Sequence, residues 1–284
     1  MNPFLLLTAS SLVGLTLTGR AALVSHYTFD EAAGATSATN EVSGATVGDV
    51  GTSVTTGVTG ISGNAYSFTG GSAQANIVDM GNASFLSSIQ TSGQYTFSLW
   101  VSTSILSGPY NVALFAGNNA DSNDYIDVGI TTGGTIDGQA YMRHRVNTNS
   151  NPGGAQSFFT GSVVADGSWH HVVMTGDTTA TTPTMTLFLD GVQVNSATIL
   201  PGDNANGTGS LFPVLNNFEI GRLGRSSPTD AYEGLVDDVQ IYDSALSPAQ
   251  VGYLFNNPGL AVPEPGVAAL AGLGLLSLIR RRRA

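Results

Sequence analysis

The sequence predicts an all-β fold, a two-sheet antiparallel sandwich. From about His26 to Tyr242, apolar and polar residues alternate in short runs that end at Gly, Asn, Asp or Pro, which is the pattern of strands joined by turns. Glycine occurs 36 times and charged residues make up only 10% of the chain, which disfavours long helices. The sequence has neither a glycine-rich phosphate loop nor a regular alternation of strands and helices, which argues against parallel α/β folds.

Two segments show the strand pattern most clearly, Tyr95–Val101 and Met185–Leu189. The second continues directly into Asp190-Gly191, a dipeptide typical of tight turns, and then into Val192–Val194. We therefore predict a β-hairpin centred on Asp190-Gly191.

One short helix is predicted near the C-terminal end of the domain. Ser247 is a suitable N-cap, Pro248 occupies the first helical position, and Gln250 completes a capping box. The apolar residues that then share one helical face are Val251, Leu254 and Phe255. Residues 256–259, Asn-Asn-Pro-Gly, end the helix and the domain near Gly259.

The charge distribution argues against a nucleic-acid partner. All nine basic residues are arginines, and four of them stand together at positions 280–283. Without the two terminal segments, the chain has 19 acidic residues and four arginines, a net charge near −15. Phosphate binding requires clustered cations, which this domain lacks. The chain also has no cysteine, so an exported domain would depend on its core, with or without a bound ion.

The N-terminal residues 1–21 are predicted to be a signal peptide. An apolar stretch, Phe4–Leu17, has the expected length, and Gly19 and Ala21 are small residues at the positions that signal peptidase requires for cleavage before Ala22. A buried N-terminal strand or helix is the alternative, which the missing positive charge before Phe4 favours.

The C-terminal residues 260–284 have the composition of a sorting tail. Pro263, Glu264 and Pro265 precede the apolar segment 266–279, which we expect to be helical, and then the arginine cluster. Fourteen apolar residues are fewer than the ~20 of a comfortable transmembrane helix, and the arginines would stay in the cytoplasm. The arrangement resembles the PEP-CTERM sorting signal of Gram-negative bacteria that make exopolysaccharide. The resemblance implies a transient stay in the inner membrane and processing by an exosortase near Pro263-Glu264-Pro265; a chance apolar C-terminus is the alternative.

Five short sequence segments between the two ends resemble the laminin G-like jelly roll of the concanavalin A-like lectin and glucanase superfamily. They occur in that family's order, at Tyr95–Val101, Asp166–Val173, Leu187–Gly191, Ile220–Arg222 and Gly234–Tyr242. The resemblance implies one jelly-roll domain over residues 22–259. It does not by itself imply a function, because this fold carries lectins, hydrolases, adhesion modules and spacers.

Catalytic residues are not predicted. Hydrolases of this superfamily carry two glutamates around an aspartate on one strand, whereas the five glutamates here are isolated from one another. His170 and His171 are adjacent on a predicted strand and would point to opposite faces, so a packing role is expected of both. A serine nucleophile would need a Gly-x-Ser-x-Gly turn, which is absent from the sequence.

One structural Ca²⁺ is implied by the resemblance. Asp237 matches the aspartate of the superfamily's terminal strand, and Asp30 lies in the N-terminal segment that would supply further oxygen ligands. The alternative is that Asp237 and Asp238 cap a turn or face solvent. A second acidic segment, residues 121–127, lacks the spacing of an EF-hand and is predicted to be a solvated turn.

A ligand-binding face is predicted on the strand around residues 141–146. Strand alternation puts Tyr141, Arg143 and Arg145 on one face, which brings two of the domain's four arginines beside an aromatic ring. Such a face suits an anionic or hydroxylated glycan. Alternatively, the arginines pair with neighbouring aspartates. Trp100 and Trp169 stand among apolar residues and are predicted to be in the core.

Taken with the predicted export, these features favour a non-catalytic protein directed to the cell surface or to an exopolysaccharide matrix, with a binding or adhesion role. Its expected partners are extracellular polysaccharide or a surface protein, besides signal peptidase and exosortase. A carbohydrate-binding lectin is the first alternative, and a polysaccharide hydrolase is the second.

Overall fold

A computed structural model of the chain describes residues 21–71, 75–106, 110–132, 136–146, 155–204 and 206–263. Residues Ala21–Val262 form one compact unit. Almost all of the predicted signal peptide and the whole apolar segment 266–279 lie outside the described residues. None of the described helices is long and apolar enough to cross a membrane.

Most of the strands form two antiparallel sheets that pack into a sandwich, as the sequence predicts. Sheet 1 has the spatial order β14 (Val192–Thr198), β13 (Thr184–Leu189), β12 (His170–Asp177), β7 (Gln94–Ser102), β18 (Glu233–Tyr242), β5 (Asn64–Thr69) and β4 (Thr55–Thr59), with β1 (Leu23–Tyr27) also paired to β18.

Sheet 2 also has eight strands among the described residues, and it carries the face on which a ligand site is predicted. Its spatial order is β11 (Ala155–Val163), β10 (Gln139–Val146), β9 (Asp124–Thr131), β8 (Tyr110–Gly117), β17 (Asn217–Ile220), β6 (Val78–Gly81), β3 (Gly48–Val50) and β2 (Ser37–Ala38). A separate two-stranded ribbon consists of β15 (Gly202–Asn204) and β16 (Gly207–Ser210).

The predicted hairpin and the predicted C-terminal helix are both confirmed. β13 and β14 pair around Asp190 and Gly191, whose φ angles of 50° and 78° are those that a tight hairpin turn requires. The helix α2 spans Pro248–Asn256, and Ser247 with Gln250 forms the capping box.

A second helix, α1 (Phe85–Ser92), was not predicted. It is only eight residues long, contains four Ser or Thr residues, and has no side-chain hydrogen bond at its N-cap. Its buried residues Phe85, Leu86 and Ile89 lie on one side, and Gly93 ends it in the left-handed conformation. Packing against the core therefore stabilises a segment whose own helix propensity is weak.

The main core lies between the inner faces of the two sheets. Alternate residues of each strand enter it, for example Phe97 and Leu99 of β7 and Ala140 and Met142 of β10. The outer face of sheet 1 is covered by α2, through a cluster of Val173, Phe188, Tyr242, Leu246, Val251 and Leu254. The outer face of sheet 2 carries a smaller apolar cluster of Val112, Phe115, Tyr125, Tyr141 and Leu223.

Candidate functional site

The outer face of sheet 2 holds the three residues predicted to bind a ligand. Tyr141 belongs to the outer cluster, whereas its strand neighbours Ala140 and Met142 belong to the main core. Arg143 and Arg145 follow at two-residue spacing, so the three side chains share the outer face. Tyr141 is only 1% exposed, which removes its ring from direct contact with a ligand.

Asp127 of β9 lies at the centre of this face. Arg143 donates from Nε to Oδ1 at 2.8 Å and from Nη2 to Oδ2 at 2.7 Å, and the Tyr141 hydroxyl donates to Oδ2 at 2.9 Å. Asp127 is fully buried. The alternative of arginines paired with aspartates is therefore realised at Arg143, in the bidentate geometry that makes such pairs strong.

The prediction of a solvated turn over residues 121–127 is wrong for Asp124 and Asp127. Both are fully buried on β9. Asp124 accepts hydrogen bonds from the Asn204 side chain at 2.9 Å and from the backbone nitrogen of Val214 at 3.0 Å, so it ties the strand to the chain around β15 and β16. The acidic residues of this strand have partners distant in sequence, which its local composition does not reveal.

Three tyrosine rings surround the guanidinium of Arg143. The Arg143 Cζ atom lies 5.2 Å from the ring centre of Tyr110, 4.9 Å from that of Tyr125 and 5.6 Å from that of Tyr141. These distances are within the range of cation–π attraction. Burial alone would lower the pKa of Arg143, but the charge of Asp127, the hydrogen bonds to it and the neighbouring Tyr141 and Tyr125 together outweigh burial and raise that pKa, so the side chain stays charged.

Tyr110 is the accessible aromatic residue of this arrangement. Its side chain is 37% exposed and stands edge-on to Tyr141, with ring centres 5.3 Å apart. In the strand pairing, Tyr110 is opposite Thr131 of β9 whereas Arg145 is opposite Tyr125, so Arg145 lies towards the other end of these strands; the exposed Ser157 of β11 is opposite Arg143. An exposed ring held by buried rings, with the Arg143 guanidinium 5.2 Å from its centre, is an arrangement able to stack on a sugar.

Tyr110, Tyr125 and Asp127 were not among the predicted site residues. They come from β8 and β9, and they meet β10 only through strand pairing, in which Asp127 is opposite Arg143 and Tyr125 is opposite Arg145. The alternation within β9 was the available signal, since Tyr125, Asp127 and Gly129 occupy one face of that strand.

The two aspartates predicted to bind calcium both contact one turn of the backbone. Asp237 is fully buried, and its Oδ2 accepts hydrogen bonds from the backbone nitrogens of Ile61 at 2.8 Å and Ser62 at 3.2 Å. Asp30 is exposed and accepts a hydrogen bond from the backbone nitrogen of Asn64 at 2.7 Å. The two carboxylates therefore bind the same turn, residues 61–64.

Ca²⁺ is bound by oxygen atoms, and in this structure the carboxylate oxygens of Asp237 and Asp30 accept hydrogen bonds from backbone N–H groups. The remaining Asp237 oxygen, Oδ1, accepts from the backbone nitrogen of Asp238 at 2.7 Å. Within the described part of the chain, no three His, Cys, Asp or Glu side chains are grouped so that they could hold a metal ion. Calcium binding at Asp237 and Asp30 stays a prediction.

Asp237 and Asp238 are both buried, so neither faces solvent. Asp238 has a φ of 46° at a β-bulge of β18, a conformation that Asp tolerates better than most residues. Its carboxylate lies 2.7 Å from His26 Nε2 and accepts from Gln240 at 2.9 Å and from the backbone of Gly259 at 2.8 Å. Burial raises the pKa of Asp237 to about 7, although the backbone donors oppose the shift.

The adjacent histidines point in different directions, as predicted. His170 Nδ1 lies 2.9 Å from an oxygen of Asp190. His171 is buried, lies 2.8 Å from the Ser98 hydroxyl through Nε2, and packs against Trp100. Burial lowers the pKa of His171 to about 4, so it is neutral at pH 7.

Trp100 is 4% exposed and Trp169 is half-buried, so the prediction that both tryptophans are in the core holds fully for Trp100 alone.

A family model described as "Concanavalin A-like lectin/glucanases superfamily" (Laminin_G_3) matches residues 69–252. The chain belongs to this family. All five sequence segments on which the resemblance is based lie within the matched residues, so the family prediction is confirmed. No curated protein sequence matches the chain.

Several solved structures are similar to this concanavalin A-like domain. One is domain 4 of AbnA, a GH43 extracellular arabinanase from Geobacillus stearothermophilus, in complex with arabinotriose; the TM-score is 0.58 at 20% identity, over 83% of this chain and 99% of that one. Another is the binding domain of Paraclostridial Mosquitocidal Protein 1, with a TM-score of 0.57 at 16% identity over 84% of this chain. A third is the Botulinum Neurotoxin Type G receptor binding domain, with a TM-score of 0.56 at 13% identity over 82% of this chain.

The match spans the whole arabinanase domain but only 52% and 51% of the two toxin chains. At these identities the likeness concerns the fold.

Proposed function

We propose that this protein is a non-catalytic glycan-binding module that is exported and retained at the cell envelope or in an extracellular polysaccharide matrix. The observation that carries the proposal is the outer face of sheet 2, where the exposed ring of Tyr110 stands over Tyr141 and Arg143. Sugars bind proteins through this combination of a rigid aromatic surface and fixed polar donors.

The similar solved structures support a binding role. The arabinanase domain was solved in complex with arabinotriose, and the two toxin structures are described as binding domains. Because all three share only the fold with this chain, we transfer the general role of binding and leave the sugar to experiment.

The carboxylates of the site support a non-catalytic role. Retaining glycosidases need two carboxyl groups about 5–5.5 Å apart, one of which must be able to give up a proton. Asp127 is bound by Arg143 and Tyr141. Glu219, which is on β17 opposite Phe115 of the outer cluster, is bound by Arg222, so both carboxylates act as acceptors in structural contacts. A polysaccharide hydrolase is therefore the less favoured alternative.

The predicted signal peptide and the predicted sorting tail support this location. Export through the predicted signal peptide, removal of residues 1–21 by signal peptidase, and exosortase processing near Pro263-Glu264-Pro265 would deliver residues 22–262 to the outside of a Gram-negative cell. Before processing, the segment 266–279 would hold the chain in the inner membrane. Extracellular polysaccharide, or a glycan on a surface protein, is the partner that suits this location.

A glycan array tests the proposal when it is probed with the full chain and with two single variants. Tyr110→Ala removes the exposed ring, and we expect it to abolish most of the binding. Val192→Ala is the control, because Val192 is 65% exposed on β14 at the edge of sheet 1, and we expect it to bind as the unchanged chain does. A folded protein that binds no glycan would overturn the proposal and favour a surface protein as the partner.

A further inference from the structure

The four described arginines fall into two classes. Arg143 and Arg222 each form a bidentate contact with a buried carboxylate, Arg143 with Asp127 and Arg222 with Glu219. Arg145 and Arg225 have no carboxylate within 4.0 Å among the described residues. In a domain with 19 acidic residues and four arginines, two half-buried arginines without an acidic partner are unexpected.

The hydrogen bonds of Arg145 and Arg225 are long and leave donors unused. Arg145 donates to the Tyr125 hydroxyl at 3.4 Å, and Arg225 donates to the Ser122 carbonyl at 3.3 Å and to the Thr229 hydroxyl at 3.4 Å. The Nε atoms of both arginines are buried with no hydrogen-bond partner among the described residues. Buried donors are normally bonded, so the contacts within the described residues do not use the full hydrogen-bonding capacity of these two guanidinium groups.

Both arginines belong to the same end of the outer face of sheet 2. Arg145 is opposite Tyr125 in the pairing of β10 with β9, and its Cζ lies 5.9 Å from the Tyr125 ring centre. The loop that carries Arg225 is bound to the turn before β9, since the Ser226 backbone donates to the Asp121 carbonyl at 3.2 Å and the Ser226 and Ser122 hydroxyls are 2.7 Å apart. Leu223 of the same loop packs in the cluster that contains Tyr125.

We propose that Arg145 and Arg225 form the acid-recognising end of the glycan site and that the ligand carries carboxylates, as a polysaccharide of uronic acid units does. A guanidinium binds a carboxylate through two parallel N–H bonds. The surrounding acidic domain repels polyanions, so an anionic chain can be held only where arginine charge is left uncompensated. This inference rests on the proposed glycan-binding function.

Affinity electrophoresis of the full chain in native gels tests the inference with a matched pair of ligands. One gel contains polygalacturonate and the other contains the same polymer after methyl esterification, which removes the charge and keeps the sugar. We expect the apparent Kd for the esterified polymer to be at least about tenfold higher, because an ester cannot accept the charge-assisted hydrogen bonds that a carboxylate accepts.

Three variants assign the effect to the arginines. We expect Arg145→Gln and Arg225→Gln each to weaken binding of polygalacturonate by about tenfold. Their melting temperatures should be unchanged, because neither substitution leaves a buried carboxylate without its partner. Arg145→Lys keeps the charge but loses the planar fork, so we expect intermediate affinity.

The outcomes separate this inference from the proposed function. Equal retardation by both polymers, or variants that bind polygalacturonate as the unchanged chain does, would overturn the role of Arg145 and Arg225. Binding to neutral sugars that Tyr110→Ala abolishes, without retardation by polygalacturonate, would overturn the inference and leave the glycan-binding function standing. Absence of binding to any glycan would overturn both.

Discussion

The guanidinium of Arg143 binds both carboxylate oxygens of Asp127, at 2.8 and 2.7 Å, across the pairing of β10 with β9. Asp127 is fully buried and the Arg143 side chain is 13% exposed. The pair therefore holds the tyrosine rings in position before any ligand arrives. It also means that a change at Arg143 acts on folding as well as on binding.

We expect Arg143→Ala to destabilise the protein by about 3–5 kcal/mol, because it leaves the buried Asp127 charge without a partner. Urea unfolding measures the loss. Arg145→Ala is the control, since no described carboxylate depends on it, and its cost is expected to stay below about 1 kcal/mol. Equal losses for the two variants would contradict the structural role of the Arg143–Asp127 pair.

The sequence predicts the parts of the fold that are decided locally. The Asp190-Gly191 turn, the Ser247 capping box and the outward alternation of Tyr141, Arg143 and Arg145 each depend on residues close to one another in the chain. The family resemblance then predicts the jelly-roll domain, and the family model matches residues 69–252.

The missed features depend on partners far away in the chain. Helix α1 forms because Phe85, Leu86 and Ile89 reach the core, which overrides its serine-rich composition. The sequence places Asp127 in a turn because a buried aspartate is recognisable only through its partner, and Arg143 is sixteen residues away on the next strand. The contacts of Asp237 and Asp30 with residues 61–64 are likewise not visible in the sequence, because these N–H donors reach the two carboxylates only in the folded chain.

Buried His144 predicts a loss of stability in mild acid. Its Nδ1 lies 2.8 Å from the Tyr95 hydroxyl and its Nε2 lies 3.0 Å from the Leu211 carbonyl, and burial lowers its pKa to about 4. The unfolded chain, with a histidine pKa of about 6.5, binds a proton that the folded chain excludes between pH 6.5 and 4. Stability is therefore expected to fall as the pH falls through this window.

Urea unfolding of the chain and of His144→Gln at pH 7, 6 and 5 measures this dependence. The variant is expected to lose less stability over the range, whatever its stability at pH 7. Asp237 acts in the opposite sense, since burial raises its pKa to about 7 and the folded chain then binds a proton more tightly than the unfolded one. An unchanged pH slope in His144→Gln would contradict the assignment.

The predicted removal of residues 1–21 would create an ion pair. The backbone nitrogen of Ala22 lies 3.3 Å from Asp243 Oδ1, and cleavage before Ala22 would convert it to an ammonium group. We expect a chain that begins at Ala22 to be about 0.2–1 kcal/mol more stable than the same chain acetylated at its N-terminus. Asp243→Asn should abolish the difference, and so should a pH well above the α-amino pKa of about 8. A difference that survives Asp243→Asn would contradict the pairing.

Calcium binding is tested by thermal unfolding with Ca²⁺ and with excess chelator. If Asp237 is a ligand, Ca²⁺ raises the melting temperature of the chain and not that of Asp237→Asn, since a ligand that binds only the folded state stabilises it by mass action. The hydrogen bonds from Ile61, Ser62 and Asp238 to the Asp237 carboxylate lead us to expect equal melting temperatures in both solutions. A calcium-dependent rise would contradict this account of Asp237.

A glycan array probed with the full chain, with Tyr110→Ala and with the control Val192→Ala measures whether the outer face of sheet 2 binds glycan. Tyr110 is exposed, and no described hydrogen bond to its side chain would be lost, so the variant should fold normally. We expect the chain and Val192→Ala to bind the same glycans and Tyr110→Ala to lose about tenfold in affinity, since the contact of one aromatic ring contributes up to about 1.5 kcal/mol. Undiminished binding by Tyr110→Ala would contradict the assignment of the outer face of sheet 2 as the glycan site.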